Sequence, residues 1–194
     1  LMTFERGASF LAGMGLRGIL GTVSLVALSA TVGLSMQTSS ANALTCLLDS
    51  NNNGVVDLTD TDGGAVSNSN NNNLACGQAA QATAEQTVAV GTNAAATGSF
   101  STAVGFSANA SGLNAVSIGN DSDATGVRST AIGTLAQATG AQSTAVGQAA
   151  NASGANSSAL GNLSNASGAN SSALGANSSA TGVSSTAVGQ AASA

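Results

Sequence analysis

The sequence predicts an all-β protein, a parallel β-solenoid with two short strands in each 14-residue coil. The first observation is a glycine at every seventh position from Gly91 to Gly189, in a register that runs back through Ala84 to Gly77. The second is that the two seven-residue halves differ, so the true period is fourteen, as in STAVGQAANASGAN followed by SSALGNLSNASGAN. A fixed period of this kind means one small unit stacked on copies of itself. The third is that each half holds a few residues suited to an extended chain, ended by a glycine able to take positive φ at a corner. A helix is disfavoured, since each of these glycines costs roughly 1 kcal/mol against alanine. With coils spaced by roughly 4.8 Å, the periods from Gly77 to Gly189 make a rod about 40 Å long.

Residues 1–43 read as a secretory signal. Arg6 and Arg17 precede the apolar stretch GILGTVSLVALSATVGLSM, and Ala41-Asn42-Ala43 offers small residues for cleavage before Leu44. A membrane-spanning helix needs about 20 apolar residues, and Gly18, Gly21 and Gly33 weaken that reading. A lipoprotein acylated at Cys46 is weaker still, because Ala43-Leu44-Thr45 is a poor acylation signal.

Residues 44–76 form the non-repetitive region, read as a cap between the only two cysteines, Cys46 and Cys76. Export to an oxidising compartment favours a disulfide between them, worth roughly 3–4 kcal/mol in the chain-entropy model; two reduced buried thiols are the alternative. Leu74-Ala75-Cys76-Gly77 falls in register with Val88-Ala89-Val90-Gly91, so the bridge would fasten the cap to the rod's open end. Inside the bracket, Asp49 to Asp60 follows the D-x-[DN]-x-[DN]-G calcium-loop pattern. Asp49, Asn51, Asn53, the Val55 carbonyl, Asp57 and Asp60 stand at loop positions 1, 3, 5, 7, 9 and 12, with Gly54 at position 6. The loop resembles those of dockerin modules, which also end in Asp. Its neutral Asn ligands and short last carboxylate predict weak calcium binding, in the ~10⁻⁴–10⁻³ M range. An Asn/Asp/Gly surface turn is the competing reading, and Asn68 to Asn73 reads as a solvated loop.

Residues 77–194 are the repeat. In the first half a branched aliphatic precedes glycine (Val90, Val104, Ile118, Ile132, Val146, Leu160, Leu174, Val188) and a small residue precedes that. Side chains alternate across a strand, so this strand has an aliphatic row on one face and an alanine row on the other, and both faces read as buried. In the second half alanine or serine recurs two and four residues before glycine, as in Ala150 and Ala152. The alternate face there is polar, with Asn109, Asp123, Gln137, Asn151 and Asn165 in one row and Thr or Ser in the next. This row is read as the ligand-facing one. A strand buried on both faces of so thin a coil needs a cover that the repeat does not supply. The cheapest cover is another copy of the chain, because an alanine-filled coil buries little area at roughly 25 cal/mol per Å² while ordering costs about 1–2 kcal/mol per residue.

The alternation of S-T-A-V-G or S-S-A-L-G with S/A-x-A-S/T-G resembles the head repeats of YadA-like trimeric autotransporter adhesins, over about residues 75–194. The resemblance implies a left-handed parallel β-roll in a homotrimer on the outer surface of a Gram-negative bacterium, secreted across the inner membrane and attaching to host matrix or other surfaces. Family members continue through a neck, a coiled-coil stalk and a membrane-anchor barrel. Ala194 falls in mid-repeat, so the chain reads as a fragment whose outer-membrane anchoring would come through a missing C-terminal region.

Composition narrows the function further. After the signal, Arg128 is the only base against seven acids, a net charge of −6, which excludes nucleic-acid binding by displacement of phosphate counterions. The chain has no His, and only Asp121 and Asp123 lie close enough in sequence to share a face of an extended segment. No aromatic or basic partner flanks them, so no enzyme is predicted. The function expected is a surface adhesin head acting through repeated polar faces, each site weak and strengthened by multiplicity. The alternative is an ice-binding or purely structural solenoid built on Thr/Ser rows such as Thr125, Thr139 and Ser153.

Overall fold

A computed structural model describes residues 44–45, 63–67 and 72–194. The signal read over residues 1–43 lies outside the described residues. Every described element is a strand, and the strands build a parallel β-solenoid of about eight turns. Each coil contributes a long strand such as Thr144–Val146 and a short strand such as Asn151–Ala152. Long strands join in a ten-stranded parallel sheet and short strands in a nine-stranded one. Register is strict at fourteen residues, with Thr144 beside Ser158, Ala145 beside Ala159 and Val146 beside Leu160.

Close approach of the next coil's backbone excludes a side chain at both glycine corners, and at one of them positive φ adds to it. After the long strand glycine takes positive φ, as at Gly147 (φ 135°), a conformation an L side chain strains to adopt. After the short strand its φ is ordinary, and space alone decides. A Cβ on Gly140 would lie 2.1 Å from the carbonyl oxygen of Gly154 in the next coil. The expectation that corner glycines supply positive φ therefore holds at one corner only, while close backbone approach acts at both, as where a Cβ on Gly147 would lie 2.4 Å from Gly161 O. Positive φ also falls on a second residue in each turn, and those are not glycines: Phe100, Asp121, Arg128 and Leu135 all have φ between 50° and 61°. The ladder holds them there against a local preference of roughly 1–3 kcal/mol, as where Arg128 N donates to Leu113 O at 2.7 Å.

The ladder also begins before Gly77. Leu44–Thr45 pairs with Leu74–Cys76, and Val66–Ser67 pairs with Gln81–Ala82. The region read as a non-repetitive cap thus supplies both strands of a first coil.

Every buried hydrophobic side chain among the described residues is an alanine. The two sheets face each other through methyl groups and a few hydroxyls, and all larger apolar side chains point outward. Ser117 and Ser122 replace alanines in one coil and form a hydrogen bond across the core (2.7 Å), with Ser122 Oγ donating onward to Gly119 O. A separate inward column at the start of the long strands runs Asn73, Thr87, Ser101, Ala115, Ser129, Ser143 and onward. The hydroxyls of Ser101, Ser129, Ser143, Ser157, Ser171 and Ser185 in it have no hydrogen-bond partner. Asn73 differs. It is 2% exposed, its Nδ2 donates to Ala82 O (2.9 Å) and Ala84 O (2.7 Å), and its Oδ1 accepts from Thr87 N (2.9 Å). The reading of Asn68 to Asn73 as a solvated loop is corrected at this residue: Asn73 is a buried plug, Asn72 is exposed, and residues 68–71 lie outside the described ones.

Opposite outcomes are expected in denaturant unfolding for two buried polar residues of this column. Asn73→Ala strands the Thr87 amide, takes a donor from the Ala82 and Ala84 carbonyls, and lowers stability by roughly 3 kcal/mol. Ser143→Ala removes a hydroxyl that lacks a partner and leaves stability unchanged or raised by up to ~1 kcal/mol. A loss for Ser143→Ala as large as that for Asn73→Ala would show that the serine column has partners in the protein.

Candidate functional surfaces

The site has no cleft; it is a pair of outer faces. On the long-strand sheet from Leu74–Cys76 onward the inner residue of each strand is alanine, or serine at Ser117, and is buried. Its neighbours Thr144 and Val146, and their equivalents in each coil, point outward because side chains alternate across a strand. The aliphatic column is only half covered within the chain: Ile118, Ile132, Val146 and Leu160 are 36–40% exposed and Val188 is 66% exposed. The expectation that both faces of this strand are buried is met within one chain only on the alanine face.

The short-strand sheet presents the polar counterpart. Asn109, Asp123, Gln137, Asn151 and Asn165 stand beside one another in that order, one per coil. Asn109 Nδ2 donates to Asp123 Oδ1 (2.8 Å) and Asn151 Nδ2 to Asn165 Oδ1 (3.1 Å). Two residues on in each strand lies an exposed hydroxyl row, including Thr125, Thr139 and Ser153. The face is a flat grid of amides, a carboxylate and hydroxyls, repeated at the strand spacing of about 4.8 Å. Asparagine pairs also run along the turns, as between Asn156 Nδ2 and Asn170 Oδ1 (3.2 Å).

The structure separates Asp121 from Asp123. Asp123 lies on a short strand, whereas Asp121 sits in the preceding turn with φ 50°. The two carboxylates therefore do not share the face of one extended segment. Cys76 is disulfide-bonded, in register with Val90. Cys46, Asp49, Asn51, Asn53, Val55, Asp57 and Asp60 lie outside the described residues, the calcium-type loop with them.

Sequence reasoning passed over the turn residues. Phe100, Phe106, Leu113, Val127, Leu135 and Leu163 are 43–53% exposed, in positions that other coils fill with Ala, Asn or Gln. The signal was present: each departs from the small or polar residue its column otherwise carries.

With the coil, its glycine corners and its two unlike faces established, the comparison with protein families is decisive. The family model described as YadA head domain repeat (2 copies) matches residues 74–94, 96–122, 124–150, 152–178 and 180–194, more than half of the chain. The chain belongs to the YadA head-repeat family. From residue 96 onward each matched segment begins at the end of every second short strand, so a 27-residue unit such as 96–122 spans about two coils of the solenoid. No curated protein matches the chain significantly. The domain is accordingly a head-like unit of the trimeric autotransporter adhesin type.

Because the polar ladder is solvated, a single member contributes little to folding. Asn151→Ala is expected to lower the unfolding free energy by no more than ~1 kcal/mol. A larger loss in thermal unfolding would mean that the row holds the sheet together rather than being free to meet a ligand.

Proposed function

We propose that the chain is the head of a homotrimeric adhesin displayed on a bacterial cell surface, attaching to an extracellular-matrix protein or another surface through its polar sheet. The observation that carries this reading is the half-exposed aliphatic column on the long-strand sheet of a chain whose core is otherwise alanine. That column is too apolar and too continuous to be left in water, and a second and third copy of the same face would cover it. The long-strand sheet then turns toward the assembly axis and the short-strand sheet outward, which leaves the grid of Asn109, Asp123, Gln137, Asn151 and Asn165 available to a ligand. Repetition along the rod and across three copies makes contacts that are weak singly strong together.

Export through a cleaved signal ending near residue 43 fits this reading, with the chain carried to the outer surface. A bridge between Cys46 and Cys76 fits it as well. Thr45 pairs with Ala75, so the residue after Thr45 is the next one due beside Cys76. Calcium in the loop from Asp49 to Asp60 would stiffen the insertion of the first coil, its carboxylate and amide oxygens being the hard donors that cation prefers.

Light scattering on the purified chain is expected to give the mass of a trimer, and Val146→Asp, placing a charge in the aliphatic column, to give monomers. Binding to immobilised matrix proteins should fall on replacing Gln137, Asn151 and Asn165 together with Ala while the mass is unchanged. A folded wild-type monomer would sink the assembly, and a thermal-hysteresis activity without matrix binding would transfer the polar sheet to an ice-binding role.

Adding calcium at millimolar concentration is expected to raise the melting temperature, an effect abolished by EDTA and by Asp49→Ala with Asp57→Ala. A melting temperature indifferent to calcium in the wild-type chain would reduce that loop to a surface turn.

A further inference from the structure

The two edges of the roll carry different side chains, and they complement each other. On the edge where long strands turn into short ones, Phe106, the Asn120–Asp121 pair and Leu135 follow in successive coils. They are stacked by hydrogen bonds from Asp121 N to Phe106 O (2.9 Å) and from Leu135 N to Asn120 O (2.9 Å). On the opposite edge, where short strands turn into long ones, Phe100, the Leu113–Asn114 pair and the Val127–Arg128 pair follow in the same way. There Asn114 N donates to Ser99 O (2.9 Å) and Arg128 N to Leu113 O (2.7 Å). All of these apolar side chains are exposed, as are Asp121 and Arg128. Arg128 is the only base among the described residues. Within the chain, neither its side chain nor that of Asp121 takes part in a hydrogen bond or ion pair among the described residues.

Height along the rod follows from sequence number. One coil is fourteen residues and about 4.8 Å, so residues seven apart differ by about 2.4 Å in height. Asp121 on one edge therefore lies level with the interval between Asn114 and Arg128 on the other. Phe106 lies level with the interval between Ser99–Phe100 and Leu113, and Leu135 with that between Arg128 and Gln142. In a closed ring of copies about an axis along the rod, all copies stand at one height, and each presents one edge to the opposite edge of the next.

We infer that neighbouring copies of this chain dock edge to edge, Asp121 pairing with the next copy's Arg128 and Phe106 packing between the next copy's Phe100 and Leu113. The inference rests on the homotrimer proposed above and adds which surfaces meet. Two features select a second copy as the occupant. The charges are complementary at the one level where the chain carries a cation, and the apolar turns flank the aliphatic column that the same assembly would cover. The aromatic turn residues and the charge pair also interrupt an otherwise uniform repeat. Uniform coils would let copies slide by whole periods, whereas these edges match at equal height, the condition ring closure sets.

The test compares the wild-type chain with Asp121→Arg, Arg128→Asp and the double exchange, by light scattering over a dilution series. Both positions already hold their native residues at positive φ, so the exchange moves residue types between backbones of the same kind, and circular dichroism checks that the strands persist. Each single reversal is expected to raise the trimer dissociation constant roughly 10- to 100-fold, three exposed pairs turning repulsive at once. The double exchange should return it to within about threefold of wild type. The single-variant defect should shrink at ~1 M salt, where screening acts within about 3 Å. A wild-type trimer whose affinity none of these changes alters would overturn the edge pairing and leave the trimer standing. Equal weakening by all three variants would overturn it as well, and a wild-type monomer at every concentration would overturn the trimer and the pairing together. Phe106→Ser provides a charge-free variant: it should weaken the trimer without changing its salt dependence, and an unaltered dissociation constant would count against the apolar part of the contact.

Discussion

The contact that governs this fold is the approach of one coil's backbone to the next at the corner after each short strand. A Cβ at Gly98, Gly112, Gly126, Gly140, Gly154 or Gly168 would fall 2.0–2.2 Å from a carbonyl oxygen one coil on. That oxygen belongs to backbone fixed by the ladder, so it cannot give way as the tip of a flexible side chain would. Fourteen residues per coil then becomes a hard count, since one extra residue would carry every later glycine out of its corner and turn the alanine face outward. Both interruptions of the register fall in the first described coil, between Thr45 and Gly63 and between Ser67 and Asn72. The regular coils beyond them contain none.

Close approach at the corners goes with close approach of the sheets. With alanine methyls and serine hydroxyls as the inward side chains of the regular coils from Gly91 on, each coil gains little apolar burial while all of its backbone is fixed. The larger aliphatics have been displaced to the outside of the long-strand sheet, where one chain cannot bury them. The fold therefore separates two tasks that most domains combine in one core. The interior serves stacking, and on the assembly proposed above the exterior of one sheet would serve association. A consequence is that the outward row of the short-strand sheet takes part in neither, and its side chains vary among Asn, Asp, Gln and Ser from coil to coil.

Most of this was legible in the sequence because a strict period converts one local pattern into a global one. Glycine at every seventh place, alanine beside the aliphatic column and the polar alternate row each recur often enough to fix strand, face and register. Features that occur once were not legible. The first coil unites Leu44–Thr45 with Val66–Ser67 across an intervening segment, and nothing local marks two dipeptides so far apart as partners. Asp121 and Asp123 read as neighbours on a strand, yet the turn places Asp121 at positive φ, as it does Phe100 and Leu135. Those residue types do not announce that conformation; the ladder imposes it. The apolar turn residues were visible as letters, but only the exposure of each turn shows that they face outward.

Ala84 shows how the rule of the corner can be broken. It stands where a glycine is due, and in the following coils the amide three residues after that glycine donates to the glycine's carbonyl, as Ser101 N does to Gly98 O (3.2 Å). At Ala84 the corresponding amide, that of Thr87, turns to Asn73 Oδ1 instead, and the Ala84 carbonyl accepts from Asn73 Nδ2. Asn73 itself occupies the inward column that serine fills in most coils, one period before Thr87. The exception at the corner and the exception in the column are therefore linked. Where alanine stands for the glycine the usual closure is absent, and a larger amide side chain pairs with both its donor and its acceptor, the Ala84 carbonyl accepting from Thr87 Oγ1 (3.4 Å) as well. Asn73 thus satisfies, at the one alanine corner, the amide that glycine corners satisfy through their own turn, and its remaining bond to Ala82 O holds it in the column.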